Sequence, residues 1–170
     1  MNDKGNLTAK RPPLIPMLFG TGFFSGLWPW GPGTAGSILA TIIWVILGLL
    51  LPADGCTLHI VTLCLAIVFT PIGTWATKRL QPYWGDDPSR VVVDEMVGVW
   101  IPLAALQTGD YVWALAALVL FRLFDIVKPF GIKALDRKKG AFWVMADDIV
   151  AGVYALAALV LMRVACALIG

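Results

Sequence analysis

The chain has 170 residues, of which 59% are hydrophobic and only 14% are charged, and its mean hydropathy is +0.81. A water-soluble domain of this length needs far more charge to cover its surface, so the composition excludes an ordinary soluble protein. The length allows one compact domain, and we treat residues 1–170 as a single unit with a polar N-terminal tail over residues 1–12. The net charge of +2 is small, so the positions of the charges carry the information.

Apolar runs follow one another along most of the chain. A helix of about 20 residues spans roughly 30 Å of hydrocarbon. Four runs reach or approach this length, at 35–51, 57–76, 111–127 and 149–169. A fifth run, 91–106, is shorter and carries Asp94 and Glu95, so we expect a short or partly inserted helix buried among the others. The sequence predicts an all-α polytopic membrane bundle of four to five hydrophobic helices.

Lysine and arginine are distributed unevenly between the connections. They precede the first run, lie between 76 and 91, and follow the run 111–127, whereas 52–56 and 107–110 contain none. The positive-inside rule places the basic connections in the cytoplasm. Five crossings satisfy this rule, whereas four would leave the basic segment after residue 127 outside. We therefore prefer five crossings with a cytoplasmic N-terminus.

Carboxylates from three different predicted helices gather at this cytoplasmic side. One Asp at a helix centre costs about 2.5–3.5 kcal/mol on membrane insertion, and mutual repulsion adds to this. A divalent cation removes the conflict, and oxygen ligands without nearby His or Cys suit Mg²⁺. The alternative for Asp147 or Asp148 taken alone is a helix cap. The predicted Mg²⁺ ligands are Asp94, Glu95, Asp125, Asp147 and Asp148, and the predicted catalytic carboxylates are Asp94, Glu95, Asp125 and Asp148.

Three charged residues recur at a spacing of three near the end of the run 111–127. Arg122, Asp125 and Lys128 therefore share one helix face. One interpretation is an intrahelical ion pair between Arg122 and Asp125. The other is a phosphate clamp formed by Arg122 and Lys128 beside the metal. The basic segment 133–140 is interpreted as a topology signal that also contacts anionic lipid headgroups.

A Pro/Gly-rich turn, GLWPWGPGTAGS at 26–37, leads into the first long helix. We expect Thr34 to be the N-cap of this helix and to contribute to phosphate binding, together with free backbone N–H groups. The alternative is a plain membrane-entry turn, and Trp28 and Trp30 fit an interfacial aromatic belt.

The motifs that are missing narrow the chemistry. The sequence contains no C-x₅-R, DxDx[TV] or DDxxD motif, and its one histidine, His59, lies at the opposite end of the second run. Metal-assisted hydrolysis of a phosphorylated lipid remains, with a carboxylate taking the proton from water. A small ion- or proton-coupled transporter and a scaffold subunit are the alternatives. Membrane lipids are the expected surroundings, no nucleic acid is expected as a partner, and the oligomeric state is left open.

Four blocks together resemble the phosphatidylglycerophosphatase A family over about residues 17–155. They are GTGFFSGLWPWGPGTAGS, VVVDEMVGVWIPL, FRLFDIVKPFGIKALDR and ADDIVAGV, in this order. The resemblance implies an Mg²⁺-dependent integral membrane phosphatase with its site at the inner face of the bacterial cytoplasmic membrane. The implied substrate is a phosphorylated glycerophospholipid, phosphatidylglycerophosphate, which yields phosphatidylglycerol and phosphate. Arg90 departs from the family pattern, in which an acidic or apolar residue is frequent. The residues that match the family's motifs are Asp94, Glu95, Arg122, Asp125, Lys128, Asp147 and Asp148.

Overall fold

The computed structural model describes residues 11–129 and 131–169, so the predicted N-terminal tail lies almost wholly outside the described residues. Within them every regular element is a helix, which confirms the all-α class. A short 3₁₀ turn, Ser25–Leu27, separates the first two helices. The α-helices are α1 (Leu14–Gly20), α2 (Pro32–Leu50), α3 (Thr57–Trp84), α4 (Val93–Leu103), α5 (Tyr111–Val127), α6 (Ile132–Asp136) and α7 (Ala141–Ile169).

Helix length separates candidate membrane spans from the other helices. In the described part of the chain, α2, α3 and α7 are long and apolar enough to cross a membrane. Helix α5 has 17 residues, the lower limit. Helix α4 has 11 residues and rises only about 16 Å, roughly half the thickness of the hydrocarbon core. The structure thus confirms the short fifth helix. Of the predicted four to five membrane spans, only three described helices meet the length and composition that a span requires.

Two helices extend beyond the apolar runs that predicted them. Helix α3 continues past residue 76 to Trp84, and α7 begins at Ala141 instead of residue 149. Hydropathy marks the part of a helix that meets lipid, whereas backbone hydrogen bonds continue wherever the chain is helical. Asp147 and Asp148 consequently lie inside α7, and the interpretation of either residue as its N-cap is wrong.

Helix α4 forms the core of the bundle. It packs against α2, α3, α5 and α7, and nearly all its side chains are buried. Trp100 is 1% exposed, and its indole N–H donates to the carbonyl of Ala40 in α2 at 3.1 Å. Since α4 is shielded from lipid, its polar N-terminus can lie inside the protein.

After α4 the chain reaches the opposite end of the bundle through turns. Nδ1 of His59, near the start of α3, lies 2.8 Å from the carbonyl oxygen of Ala104. The hydroxyl of Thr108 donates to the carbonyl of Gly48, near the end of α2, at 3.1 Å. The segments α2, α3, α4, α5 and α7 therefore run alternately between two ends. We call the end that holds the starts of α2, α4 and α7 the site end.

A left-handed turn supports the start of α4. Gly22, Phe23 and Phe24 all have positive φ angles, of 52°, 54° and 71°. The N–H of Val92 donates to the carbonyl of Gly20 at 2.9 Å, which fixes this turn beneath the entry to α4. The GTGFFSG block thus has a structural role that the sequence interpretation missed.

Two glycines bring α4 and α7 into backbone contact. A Cβ atom on Gly152 would overlap the carbonyl oxygen of Gly98, and a Cβ atom on Gly98 would lie 2.8 Å from the carbonyl oxygen of Asp148. Backbone cannot move aside as a flexible side chain can. Since Asp94 and Asp148 each lie four residues before one of these glycines, this contact also sets the distance between the two carboxylates.

We expect Gly152→Ala to separate α4 from α7 and to destabilise the protein by about 1–3 kcal/mol, as overpacking generally does. Thermal unfolding in detergent checks this, with Val153→Ala, at a 47% exposed neighbouring position, as the control. Equal midpoints for Gly152→Ala and the wild type would contradict the close contact.

Candidate active site

A cavity of about 520 Å³ opens at the site end of the bundle. Helices α2, α4, α5 and α7 contribute to its wall, together with the connections from α3 to α4 and from α6 to α7, so residues far apart in sequence face one space. Its charged lining residues are Asp86, Asp87, Asp94, Glu95, Arg122, Asp125, Lys128, Arg137, Lys138, Lys139, Asp147 and Asp148.

Three of the predicted metal ligands form one cluster on the cavity wall. One carboxylate oxygen each from Asp94, Glu95 and Asp148 lies within 4.8 Å of the others. Asp94 and Asp148 are only 7% and 5% exposed. Oε2 of Glu95 is buried without a hydrogen-bond partner among the described residues. An oxygen-only donor set with an unsatisfied buried carboxylate oxygen fits a hard divalent cation such as Mg²⁺.

The other two predicted metal ligands contact cations of the protein. Oδ2 of Asp125 lies 2.6 Å from Nη1 of Arg122, and Oδ2 of Asp147 lies 2.8 Å from Nζ of Lys128. Asp125 also contacts the carboxyl group of Asp148. Asp125 and Asp147 thus surround the three-carboxylate cluster and connect it to the basic residues.

Arg122 forms the intrahelical ion pair with Asp125 and also approaches Glu95 in α4, whereas the phosphate clamp stays a prediction. Its guanidinium pairs with Asp125 in the same helix, and Nη1 also lies 3.8 Å from Oε1 of Glu95 in α4. Its Nε makes no hydrogen bond within the described residues, and its side chain is 19% exposed. Arg122 therefore holds donors at the cavity beside the carboxylate cluster, where a phosphate can accept them.

Lys128 occupies a backbone conformation that favours glycine. It is the C-cap of α5, with φ 48° and ψ 56°, and Pro129 follows it. A left-handed conformation costs an L-residue about 1–2 kcal/mol relative to the right-handed one. A lysine at this position gives up backbone stability to place its ammonium group in the cavity, and such strain is frequent at functional sites.

The structure corrects the prediction for Thr34. Helix α2 begins at Pro32, with Gly31 as its N-cap, and Thr34 is exposed and is not part of the cavity lining. Gly31, Pro32 and Gly33 line the cavity instead. Proline at the first helical position shifts the helix start toward the N-terminus, because its fixed φ suits that position. The prediction of Thr34 as the N-cap is therefore wrong, and its phosphate-binding role stays a prediction.

Sequence reasoning missed Gly33. A Cβ atom there would overlap Oε1 of Glu95 and would lie 3.0 Å from Nη1 of Arg122. Only a glycine lets α2 approach this pair so closely. The PGPG run marked a turn, but its spacing did not reveal which side chains it would meet.

Residues at the cavity mouth were also missed as site residues. Arg137, Lys138 and Lys139 precede α7, and Asp86 and Asp87 follow α3. Lys139 and Asp86 lie 3.4 Å apart across the mouth. The sequence analysis interpreted the basic segment 133–140 as a topology signal and gave Asp86 and Asp87 no role, because the cavity that they share depends on long-range packing.

Comparisons with known proteins identify the family of this chain. The sequence model of the family named Phosphatidylglycerophosphatase A matches residues 18–163. The chain belongs to this family. The match includes every carboxylate of the cavity and both Arg122 and Lys128.

Three relatives cover most of the chain. A protein of Bacteroides thetaiotaomicron, provisionally named phosphatidylinositol-3-phosphatase, is 54% identical over 85% of this chain and 91% of its own length. Phosphatidylglycerophosphatase A of Haemophilus influenzae is 40% identical over 82% of this chain and 83% of its own. Phosphatidylglycerophosphatase A of Escherichia coli (strain K12) is 39% identical over 80% of this chain and 76% of its own length. No solved structure gives a significant match.

In this phosphatidylglycerophosphatase A family member we expect Gly33→Ala to lower phosphatase activity by about 10-fold or more, because the added methyl group displaces Glu95 and Arg122. Phosphate release in detergent measures the loss. Gly48→Ala is the matched control, since the atoms nearest to its added Cβ are side-chain atoms of Thr108 and Leu58, at 3.2 Å or more. Equal activities of the two variants would contradict the close approach of α2 to Glu95.

Proposed function

We propose that this protein is a membrane phosphatase that hydrolyses phosphatidylglycerophosphate to phosphatidylglycerol and inorganic phosphate. The observation that carries the proposal is the convergence of Asp94, Glu95 and Asp148 with Arg122 and Lys128 in one cavity. Family membership supports the phosphatase activity, and two of the relatives are named phosphatidylglycerophosphatase A. The provisional name of the Bacteroides relative also denotes hydrolysis of a phosphate monoester on a phospholipid headgroup.

Asp94, Glu95 and Asp148 are the residues that would hold Mg²⁺ in this proposal, with Asp125 and Asp147 in contact with the surrounding cations. When bound, the cation would supply positive charge for the phosphoryl oxygens and make water more acidic. The protein's own contribution is to keep three carboxylates within reach of one another and largely away from bulk water.

The basic residues orient the phosphate monoester. Arg122 and Lys128 donate hydrogen bonds to its oxygens, which neutralises charge and aligns the phosphorus with the attacking water. Both cations already contact a carboxylate, so Asp125 and Asp147 hold them in position before the substrate arrives. This arrangement lowers the reorganisation that binding requires.

Glu95 is the proposed general base. Its Oε2 makes no hydrogen bond among the described residues, and its side chain lines the cavity. Glu95 takes a proton from the attacking water and returns it to the glycerol oxygen that leaves. One P–O bond forms as the other breaks, and water is added across the ester.

The proposed membrane placement puts the cavity at the cytoplasmic face of the bacterial inner membrane. Basic residues follow α3 and α5 at the site end, and Arg163, paired with Asp110 at 3.1 Å, lies at the other end. The positive-inside rule then orients the site end to the cytoplasm. In this placement α2, α3 and α7 span the bilayer, while α5 and the shorter α4 with its flanking turns carry the chain between the two ends inside the bundle. A cavity of about 520 Å³ suits a polar headgroup, so the acyl chains remain outside against the apolar helix faces.

The transporter alternative is not favoured. An ion pathway needs polar groups through the thickness of the bundle, whereas the carboxylates of the cavity lie together at one end. The middle of the bundle around α4 is filled by Trp44, Trp100 and Phe121, all at most 1% exposed.

The direct test is phosphate release from phosphatidylglycerophosphate by the purified protein, with Mg²⁺ and with EDTA. We expect activity only with Mg²⁺. The Asp94→Asn variant should be about 100-fold or more less active, because it loses a negatively charged ligand of the metal that stabilises the transition state. Asp54→Asn, in the loop at the opposite end, should retain activity. Normal turnover by Asp94→Asn would exclude Asp94 from the site.

Mg²⁺ should also stabilise the fold, because it relieves repulsion among the three carboxylates. A concentration 100 times the dissociation constant adds about 2.7 kcal/mol to the free energy of unfolding, or roughly 5 °C or more in the melting temperature. Asp148→Asn should melt higher than the wild type in EDTA and should lose most of the response to Mg²⁺. Asp54→Asn should keep the full rise in melting temperature with Mg²⁺. A wild-type melting temperature that does not change on addition of Mg²⁺ would contradict a metal site shared by the three carboxylates.

A further inference from the structure

A second set of basic residues lies at the mouth of the cavity, apart from Arg122 and Lys128. Arg137, Lys138 and Lys139 belong to the short loop between α6 and α7, and all three are exposed and line the cavity. The proposed chemistry does not use them. Their position between the carboxylate cluster and the solvent raises the question of which anion they meet.

The three bases differ in their present partners. Lys139 pairs with Asp86 at 3.4 Å, and both side chains are highly exposed, at 86% and 72%. The ammonium of Lys138 lies 3.9 Å from the ring centroid of Trp143, which also lines the cavity. Arg137 makes no ion pair within the described part of the chain. Arg137 and Lys138 therefore retain positive charge that no described carboxylate neutralises.

The substrate chemistry supplies a matching anion. A phosphatidylglycerophosphate headgroup carries its terminal monoester and, three glycerol carbons away, a phosphodiester attached to diacylglycerol. With the monoester at Arg122 and Lys128, the phosphodiester extends from this clamp toward the cavity mouth, where Arg137 and Lys138 lie. Resting on the proposed function, we propose that Arg137 and Lys138 form a second anion subsite that binds this phosphodiester, with Trp143 holding the Lys138 ammonium in place.

The subsite acts on binding and leaves the chemical step unchanged. The phosphodiester keeps its single negative charge in substrate, transition state and product. An interaction that is equal in all three states lowers KM without raising kcat. The subsite also binds the lipid product, phosphatidylglycerol, which keeps the phosphodiester, but it does not change the affinity for inorganic phosphate. These features distinguish it from the clamp, which contacts the reacting group.

The test compares the Arg137→Ala/Lys138→Ala double variant with the wild type on short-chain phosphatidylglycerophosphate in non-ionic micelles. We expect KM to rise about 10–100-fold, the usual range for losing charge-assisted hydrogen bonds. The kcat value should stay within about 2-fold, and the inhibition constant of inorganic phosphate should be unchanged. Lys133→Ala is the matched control, because Lys133 is an exposed base on neighbouring α6 outside the cavity lining.

A binding measurement separates this subsite from the proposed activity. Calorimetric titration of short-chain phosphatidylglycerol in the same micelles needs no turnover, and the double variant should bind it about 10-fold or more weakly. Reduced binding in the variant alongside an inactive wild type would refute the proposed function and keep the subsite. Normal turnover with an unchanged KM and unchanged binding would overturn the subsite.

Two further outcomes also decide the question. If Lys133→Ala raises KM as much as the double variant, or if the effect appears only when anionic lipid is added to the micelles, the loop binds the membrane surface and the subsite is refuted. Should the alanine variant unfold, Arg137→Gln/Lys138→Gln retains the length and polarity of the side chains, and the same shifts in KM and binding are required of it.

Discussion

The contact between Gly98 and Gly152 is the constraint on which the site depends. It holds the backbones of α4 and α7 so close that Asp94 and Asp148, one helical turn earlier, face each other beside Glu95. Like charges at this separation, sheltered from water, repel strongly. The packing of buried α4 against four other helices must supply the opposing free energy. The site is therefore assembled by apolar packing that acts against electrostatic repulsion, and the proposed Mg²⁺ would offset that repulsion.

Several helices surround this contact with partners for the remaining charges. Helix α5 contributes Arg122 and Asp125, and its strained C-cap contributes Lys128. Helix α2 approaches through Gly33, which leaves room for Glu95 and Arg122. The left-handed turn at residues 22–24 fixes the start of α4. Glycine or unusual backbone geometry thus appears where an element must come close to the cluster or end abruptly beside it.

The sequence predicted the helical class and the gathering of charges because both depend on local patterns. Apolar runs mark lipid-facing helices, and a carboxylate pair such as Asp94 and Glu95 is conspicuous inside one of them. The interpretation failed where packing decides the outcome. Helix α7 begins before its apolar run, which places Asp147 and Asp148 inside the helix. Thr34 suggested a cap, but Pro32 and Gly31 set the helix start earlier. The division of five acids into a three-carboxylate cluster and two ion-paired residues depends on side-chain positions that no spacing rule encodes.

The short length of α4 has a consequence for how a lipid meets this protein. A helix of 11 residues, enclosed by longer neighbours, lets acidic groups lie deeper than the rim formed by the loops after α3 and before α7. On the proposed function, a headgroup would extend into this recess while its tails stay in the surrounding leaflet. Selection among lipids then depends on how far the reactive phosphorus lies from the diacylglycerol, and the tails can vary in length and unsaturation without altering the fit.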